Sequence, residues 1–191
     1  MITKKKPVNY VDNKKFYEEI IAYRARLSDA KEKGLDEPRI PEYIGECIFK
    51  IAEKLSTKPC FVNYSYRDEM IADGYENCLT YFKDYNPEYN GSGNPNYVPN
   101  PFAYFTQIIY YAFLRRISKE EKNRYTIYKN FQETIGIMDI GRLVDCDDRH
   151  IAPKAMYDNI NHFMEKFEKK EEEKKQKRKQ VKEGLDKFYE E

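Results

Sequence analysis

The sequence has no tryptophan, two histidines and four cysteines among 191 residues. Cys47, Cys60, Cys78 and Cys146 form no CxxC pair, and His150 and His162 do not complete a ligand cluster. No metal site and no cofactor are therefore expected. The thiols read as reduced and mostly packed. No apolar run approaches the about 20 residues that a membrane span needs. The basic residues 1–6 have no apolar stretch behind them, so a signal peptide is not expected either. The expectation is a cytosolic protein without membrane contact. A glycine-rich phosphate loop, a nucleophile motif and a histidine-rich site are all missing, which argues against an enzyme such as a small nuclease. Charge of one sign is missing too, since the formal net charge is +1.

What is abundant is tyrosine (18) and phenylalanine (11). Rings with a polar tip suit interfaces and base stacking, and equally suit half-buried packing. The apolar periodicity is helical throughout, and no strand pattern stands out. A first helix is expected from Asp12 or Asn13, with Phe16, Ile20, Tyr23 and Leu27 on one face and Gly34 as its stop. Pro41 suits the first turn of a second helix, on which Ile44, Ile48, Ile51 and Leu55 repeat the spacing. A third helix is predicted over residues 66–85. Ser65 and Asp68 would form its capping box, and Ile71, Tyr75, Cys78 and Phe82 its apolar face. Residues 86–100 hold two Gly, three Pro and five Asn, and read as a surface loop.

Asn100 and Pro101 restart a helix that runs at least to Lys119, and as far as Lys129 on the longer reading. Residues 131–152 are mixed, with an acidic turn at Asp145, Asp147 and Asp148. A last helix is predicted from Pro153, with Met156, Ile160, Phe163 and Phe167 facing a core. Residues 168–183 carry no apolar side chain except Val181, and read as a charged tether, either helical or disordered. Apolar residues then return in the last eight positions.

Charge is segregated although it balances. Residues 66–90 hold six acidic and two basic side chains, and residues 101–130 hold six basic and two acidic ones. On the acidic helix Glu69, Asp73 and Glu76 share a face, which is either a solvated surface or a dock for a basic partner. The basic helix has a core face of Phe102, Phe105, Ile109, Ala112 and Phe113. A different face carries Tyr104, Gln107, Ile108, Tyr111 and Arg115. A helix apolar on two sides is deeply buried or binds something. Arg115, Arg116 and Lys119 fit burial poorly. An aromatic face that runs into a basic end suits unpaired nucleic acid, where each stacked base contributes about 1–3 kcal/mol. A protein groove fits the same pattern, and the residues alone do not decide between the two.

Three runs carry a resemblance. Asp68-Glu69-Met70-Ile71-Ala72-Asp73-Gly74 resembles the start of the polymerase-binding helix of bacterial sigma factors. Asn100-Pro101-Phe102-Ala103-Tyr104-Phe105-Thr106-Gln107 resembles the promoter-melting segment that follows it. Leu185-Asp186-Lys187-Phe188-Tyr189-Glu190 resembles a tail motif of the T-even phage late-transcription sigma factors. That family matches best, covering residues 8–130 well and residues 131–183 hardly at all. The departures are Lys187, where the family has an aromatic residue, and Gln107 with Ile108, where housekeeping sigma factors place a tryptophan pair.

The resemblance implies an all-α fold. Residues 1–130 would be a sigma region 2-like domain, 131–167 a partly helical extension, 168–183 a linker and 184–191 a tail that binds the DNA polymerase sliding clamp. It implies that Asp68, Glu69, Ala72, Asp73, Tyr75 and Glu76 meet the coiled-coil clamp helices of the largest subunit of bacterial RNA polymerase core. Tyr104, Gln107, Ile108, Tyr111, Leu114, Arg115, Lys119 and Lys122 would meet promoter DNA. Leu185, Asp186, Phe188 and Tyr189 would meet the sliding clamp. A phage late co-activator is a further implied partner, and the cytoplasm of an infected bacterium the implied location. The rival expectation is an anti-sigma or appropriator protein that binds the polymerase without reading DNA.

Overall fold

Asp12 opens the first helix as the sequence requires. Its carboxylate accepts from the backbone N–H of Lys14 at 3.0 Å and of Lys15 at 3.2 Å, which satisfies two donors the helix leaves unpaired. A computed structural model describes residues 10–87, 100–137 and 151–189, the side chains of 135–137, 151–155 and 182–189 excepted. The described residues form α-helices and no strands: α1 Asn13–Glu32, α2 Glu42–Ser56, α3 Arg67–Thr80, α4 Pro101–Ile137 and α5 Ile151–Tyr189, with one 3-10 turn at Phe82–Asp84. The protein is all-α, as expected. None of these helices is long and apolar enough to cross a membrane. The chain divides into two compact units, Met1–Arg116 and Ile117–Glu191, so the division falls inside α4.

In the first unit, α1 buries Phe16, Ile20 and Tyr23. It stops at Gly34, whose φ of +63° is the left-handed conformation that glycine adopts without a Cβ clash. Gly34 N–H donates to the Lys31 carbonyl at 3.2 Å and Leu35 N–H to that of Ala30 at 2.9 Å, the paired closure that caps carbonyls at a helix end. Helix α2 buries Ile44, Ile48, Ile51 and Leu55 together with Cys47 and Ala52. Pro41 stands at its N-cap, one position before the first turn.

Helix α3 departs from expectation at both ends. It begins at Arg67 with no side-chain cap, so the Ser65–Asp68 capping box does not form. It ends at Thr80, and the chain tightens into the 3-10 turn. Three residues per turn put Phe82 and Tyr85 on one side, and both are buried against Phe105, with ring centroids 5.8 Å away in each case. The buried face of α3 is Met70, Gly74 and Cys78, while Ile71 and Tyr75 are half-buried. Gly74 sets this face. A Cβ there would lie 3.0 Å from Ile109 Cγ2 and 3.1 Å from a Phe113 ring carbon, so any larger residue would make these two side chains give way by a few tenths of an ångström. Asn100 caps α4, its side chain accepting from Ala103 N–H at 3.1 Å. Asn13 of α1 accepts from Phe102 N–H at 3.3 Å and ties the two helix starts together. Phe105, Ile109, Ala112 and Phe113 are buried as expected, and Phe102 is half-buried.

In the second unit, residues 117–137 of α4 run antiparallel to α5. Glu121 pairs with Lys170 at 2.6 Å, Tyr125 stacks on Phe167 at 4.7 Å, Tyr128 meets Phe163 edge-on at 5.5 Å, and Gln132 donates to Asn161. Ile160 and Met164 are buried, whereas Met156 is 55% exposed and does not join this face. Helix α5 starts at Ile151, so Pro153 lies in its first turn, where a missing N–H costs no bond. The charged stretch 168–183 is continuous helix. Glu, Lys, Gln and Arg are good helix formers, which resolves the choice the composition left open. Residues 88–99, most of the expected surface loop, lie outside the described residues, as do 138–150 with their acidic turn, Cys146 and His150.

Candidate interface on α3 and α4

Two helices of the first unit carry most of the residues singled out above. On α3, Asp68, Glu69, Ala72 and Glu76 are exposed, and Asp73 and Tyr75 are half-buried. The acidic and basic helices neutralise each other in part. The Asp73 carboxylate lies 3.4 Å from Arg116 Nε across the α3–α4 contact. Asp73 is thus committed to the fold, and Asp68, Glu69 and Glu76 carry the outward negative charge. Tyr75 folds over Gly45 of α2, where its hydroxyl would stand 3.0 Å from an added Cβ. Its ring meets Phe49 edge-on at 6.2 Å. Phe49 is 49% exposed and was not visible as a surface residue in the sequence.

Successive residues of an α-helix turn by about 100°. On that count Tyr104, Gln107, Ile108, Tyr111, Leu114 and Arg115 share an arc of roughly 120°, turned away from the arc of Phe105, Ile109, Ala112 and Phe113. Gln107, Tyr111, Leu114 and Arg115 are exposed, with Tyr111 at 52%; Tyr104 and Ile108 are half-buried. Tyr104 is held at one end. Its hydroxyl donates to the Tyr81 carbonyl at 3.3 Å, and its ring lies 4.9 Å from that of Tyr85. Burial, and then the negative charge of Asp84, push its phenol above the usual value, so it stays neutral. Arg115 is held at the other end, donating to Asn77 Oδ1 at 2.7 Å, while the Asn77 amide donates to the Asp73 carbonyl at 2.6 Å.

Tyr110 and Tyr81 add exposed aromatic surface that the sequence reading missed, at 42% and 44%. Tyr110 packs edge-on to Phe61 at 5.7 Å and to Tyr111 at 5.9 Å. A tyrosine beside Tyr111 was a signal, but it falls outside both stripes the periodicity picks out. Lys119 and Lys122 are exposed and belong to the second unit. Leu185, Asp186, Phe188 and Tyr189 lie in the helical backbone of α5, with side chains outside the described residues.

The fold and these faces define an all-helical protein with an aromatic outer arc on one helix and an acidic flank on its neighbour. Chemically, the arc offers flat apolar surface between a neutral phenol and a fixed guanidinium. No protein-family model matches the chain, and no curated protein matches it.

Proposed function

We propose that this chain is a sigma-type initiation factor of the T-even phage late class. Helix α3 docks on the bacterial polymerase core through Asp68, Glu69, Ala72 and Glu76, with Asp73 and Tyr75 behind them. Helix α4 meets an A·T-rich promoter element. The observation that carries this reading is the outward arc of α4. Tyr104, Gln107, Ile108, Tyr111, Leu114 and Arg115 stand together there while the opposite arc fills the core. Flipping bases out of a weak A·T stack costs a few kcal/mol, and stacking on aromatic rings regains it. Opening is then coupled to binding, without a nucleotide or a covalent step. Arg115 and the exposed Lys119 and Lys122 supply cations for phosphates. The tail residues Leu185, Asp186, Phe188 and Tyr189 hold the sliding clamp, which raises the effective concentration of the complex on DNA. A phage late co-activator joins at the same promoters.

Run-off transcription with core polymerase on an A·T-rich late-type promoter tests the reading. Gln107→Ala, Tyr111→Ala and Leu114→Ala together remove exposed contacts and spare the anchored Tyr104. We expect core binding to persist and specific initiation to disappear. Initiation that survives this triple substitution favours the rival, a polymerase appropriator that does not read DNA. The exposed Phe49 beside Tyr75 suits that rival equally, since both readings dock on the polymerase. Deleting the last eight residues should spare basal initiation on negatively supercoiled DNA and remove the stimulation by the sliding clamp.

A further inference from the structure

The cationic part of α5 has no task in the reading above. Every side chain from residue 172 to 181 is exposed. Lys174, Lys175, Lys177, Arg178 and Lys179 put five cations in six positions with no anion among them. Lys174 pairs with Glu171 at 2.7 Å. Among the described residues no ion pair involves Lys175, Lys177 or Lys179, and Arg178 acts on Glu171 through its charge. At about 100° per residue, Lys174, Lys175, Arg178 and Lys179 fall on one face, and the rows i and i+4 rise by about 6 Å. Like charges at that spacing weaken a helix. Within residues 174–179 two such pairs occur, 174/178 and 175/179, while Glu171 and Glu173 stand one turn before Lys175 and Lys177, on a helix that the Glu121–Lys170 pair and the Tyr125–Phe167 stack fix upstream.

We infer that this face of α5 binds the phosphate backbone of duplex nucleic acid without reading its sequence. A row of exposed cations matches a row of phosphates, and counterion release supplies the free energy. Residues 168–180 contain no apolar side chain. A membrane-surface helix needs an apolar face to bury, and a protein interface needs apolar or aromatic anchors. Single strands call for stacking rings, which the stretch also lacks. The contact is separate from the aromatic arc of α4 and from polymerase docking, so it stands or falls by itself.

The experiment uses the full chain and a fluorescein-labelled duplex of random sequence, with no polymerase present. Anisotropy is followed between about 50 and about 200 mM salt. Changing Lys174, Lys175, Arg178 and Lys179 together to Gln should lower the slope of log affinity against log salt by about 3–4, and affinity by at least about 10-fold. Lys174→Arg with Lys175→Arg and Lys179→Arg should keep the full slope, since charge is preserved. Lys31→Gln with Lys33→Gln, exposed cations near the end of α1, should change neither quantity. An unchanged slope in the Gln variant overturns the inference. So does a chain that binds phosphatidylserine vesicles and leaves the duplex free.

Discussion

The two units of the chain bury apolar surface in different ways. In the first, Phe16, Phe82, Tyr85 and Phe105 lock rings at the point where α1, the 3-10 turn and α4 meet, and Phe105 has no exposed surface. In the second, two antiparallel helices share one seam, and the seam rings Phe163, Phe167, Tyr125 and Tyr128 are only half-buried. A core enclosed from several sides fixes the orientation of whatever its outer faces carry. A two-helix seam holds its partners in line but leaves most of each helix in water. The outer arc of α4 thus rests on a rigid base within the first unit, and α5 offers length and charge instead of shape.

The sharpest way to break this contrast is Phe105→Ala. Removing a fully buried ring costs about 3–5 kcal/mol, because lost transfer energy and an unfilled cavity add. Urea denaturation followed by circular dichroism should show the loss as a lower midpoint. Next is Gly74→Val, which pushes a branched side chain into Ile109 and Phe113 across the α3–α4 contact. Overpacking of this kind costs about 1–3 kcal/mol. Phe167→Ala in the seam should cost about 1 kcal/mol, since a half-buried ring returns only part of its area to water. Its mark should be faster amide exchange in α5, with exchange in α1–α3 unchanged. A Phe167→Ala loss as large as that of Phe105→Ala would erase the distinction between the units.

Much of this fold is legible in the sequence because its signals are local. Asp12 and Asn100 cap their helices through bonds to N–H groups two or three residues away. The stripes of α1 and α2 are set by periodicity alone. The face of α3 is not local. Periodicity passes over Gly74 because glycine has no side chain to count, and selects Tyr75, yet the true face is where a missing Cβ admits α4. The candidate arc of α4 could be drawn from spacing, since one helix carries all of it in the first unit. Its fixings could not. Tyr104 to the Tyr81 carbonyl, Arg115 to Asn77 and Arg116 to Asp73 join residues 23, 38 and 43 positions apart, and their distances depend on how α3 packs. The charge pattern was legible, but its partial cancellation at Asp73 was not.

The smallest effect to measure is also the one that compares the units directly. Cys78 has no exposed surface, and burial pushes its thiol up to about 12. The thiolate is the reactive form, so native Cys78 should resist a disulfide reagent at neutral pH and at pH 9. A folded value above the unfolded one means stability present below about pH 9 and lost as pH rises toward 12. Cys60 is exposed and should react at once. In a Cys47→Ser, Cys60→Ser, Cys146→Ser chain, which leaves Cys78 as its one thiol, Met164→Cys adds a second buried reporter, because Met164 is 8% exposed in the seam. If the seam opens locally while the first unit stays closed, the thiol at 164 labels faster than Cys78. Equal protection at both positions means that the units open together, and the seam is then as cooperative as the core.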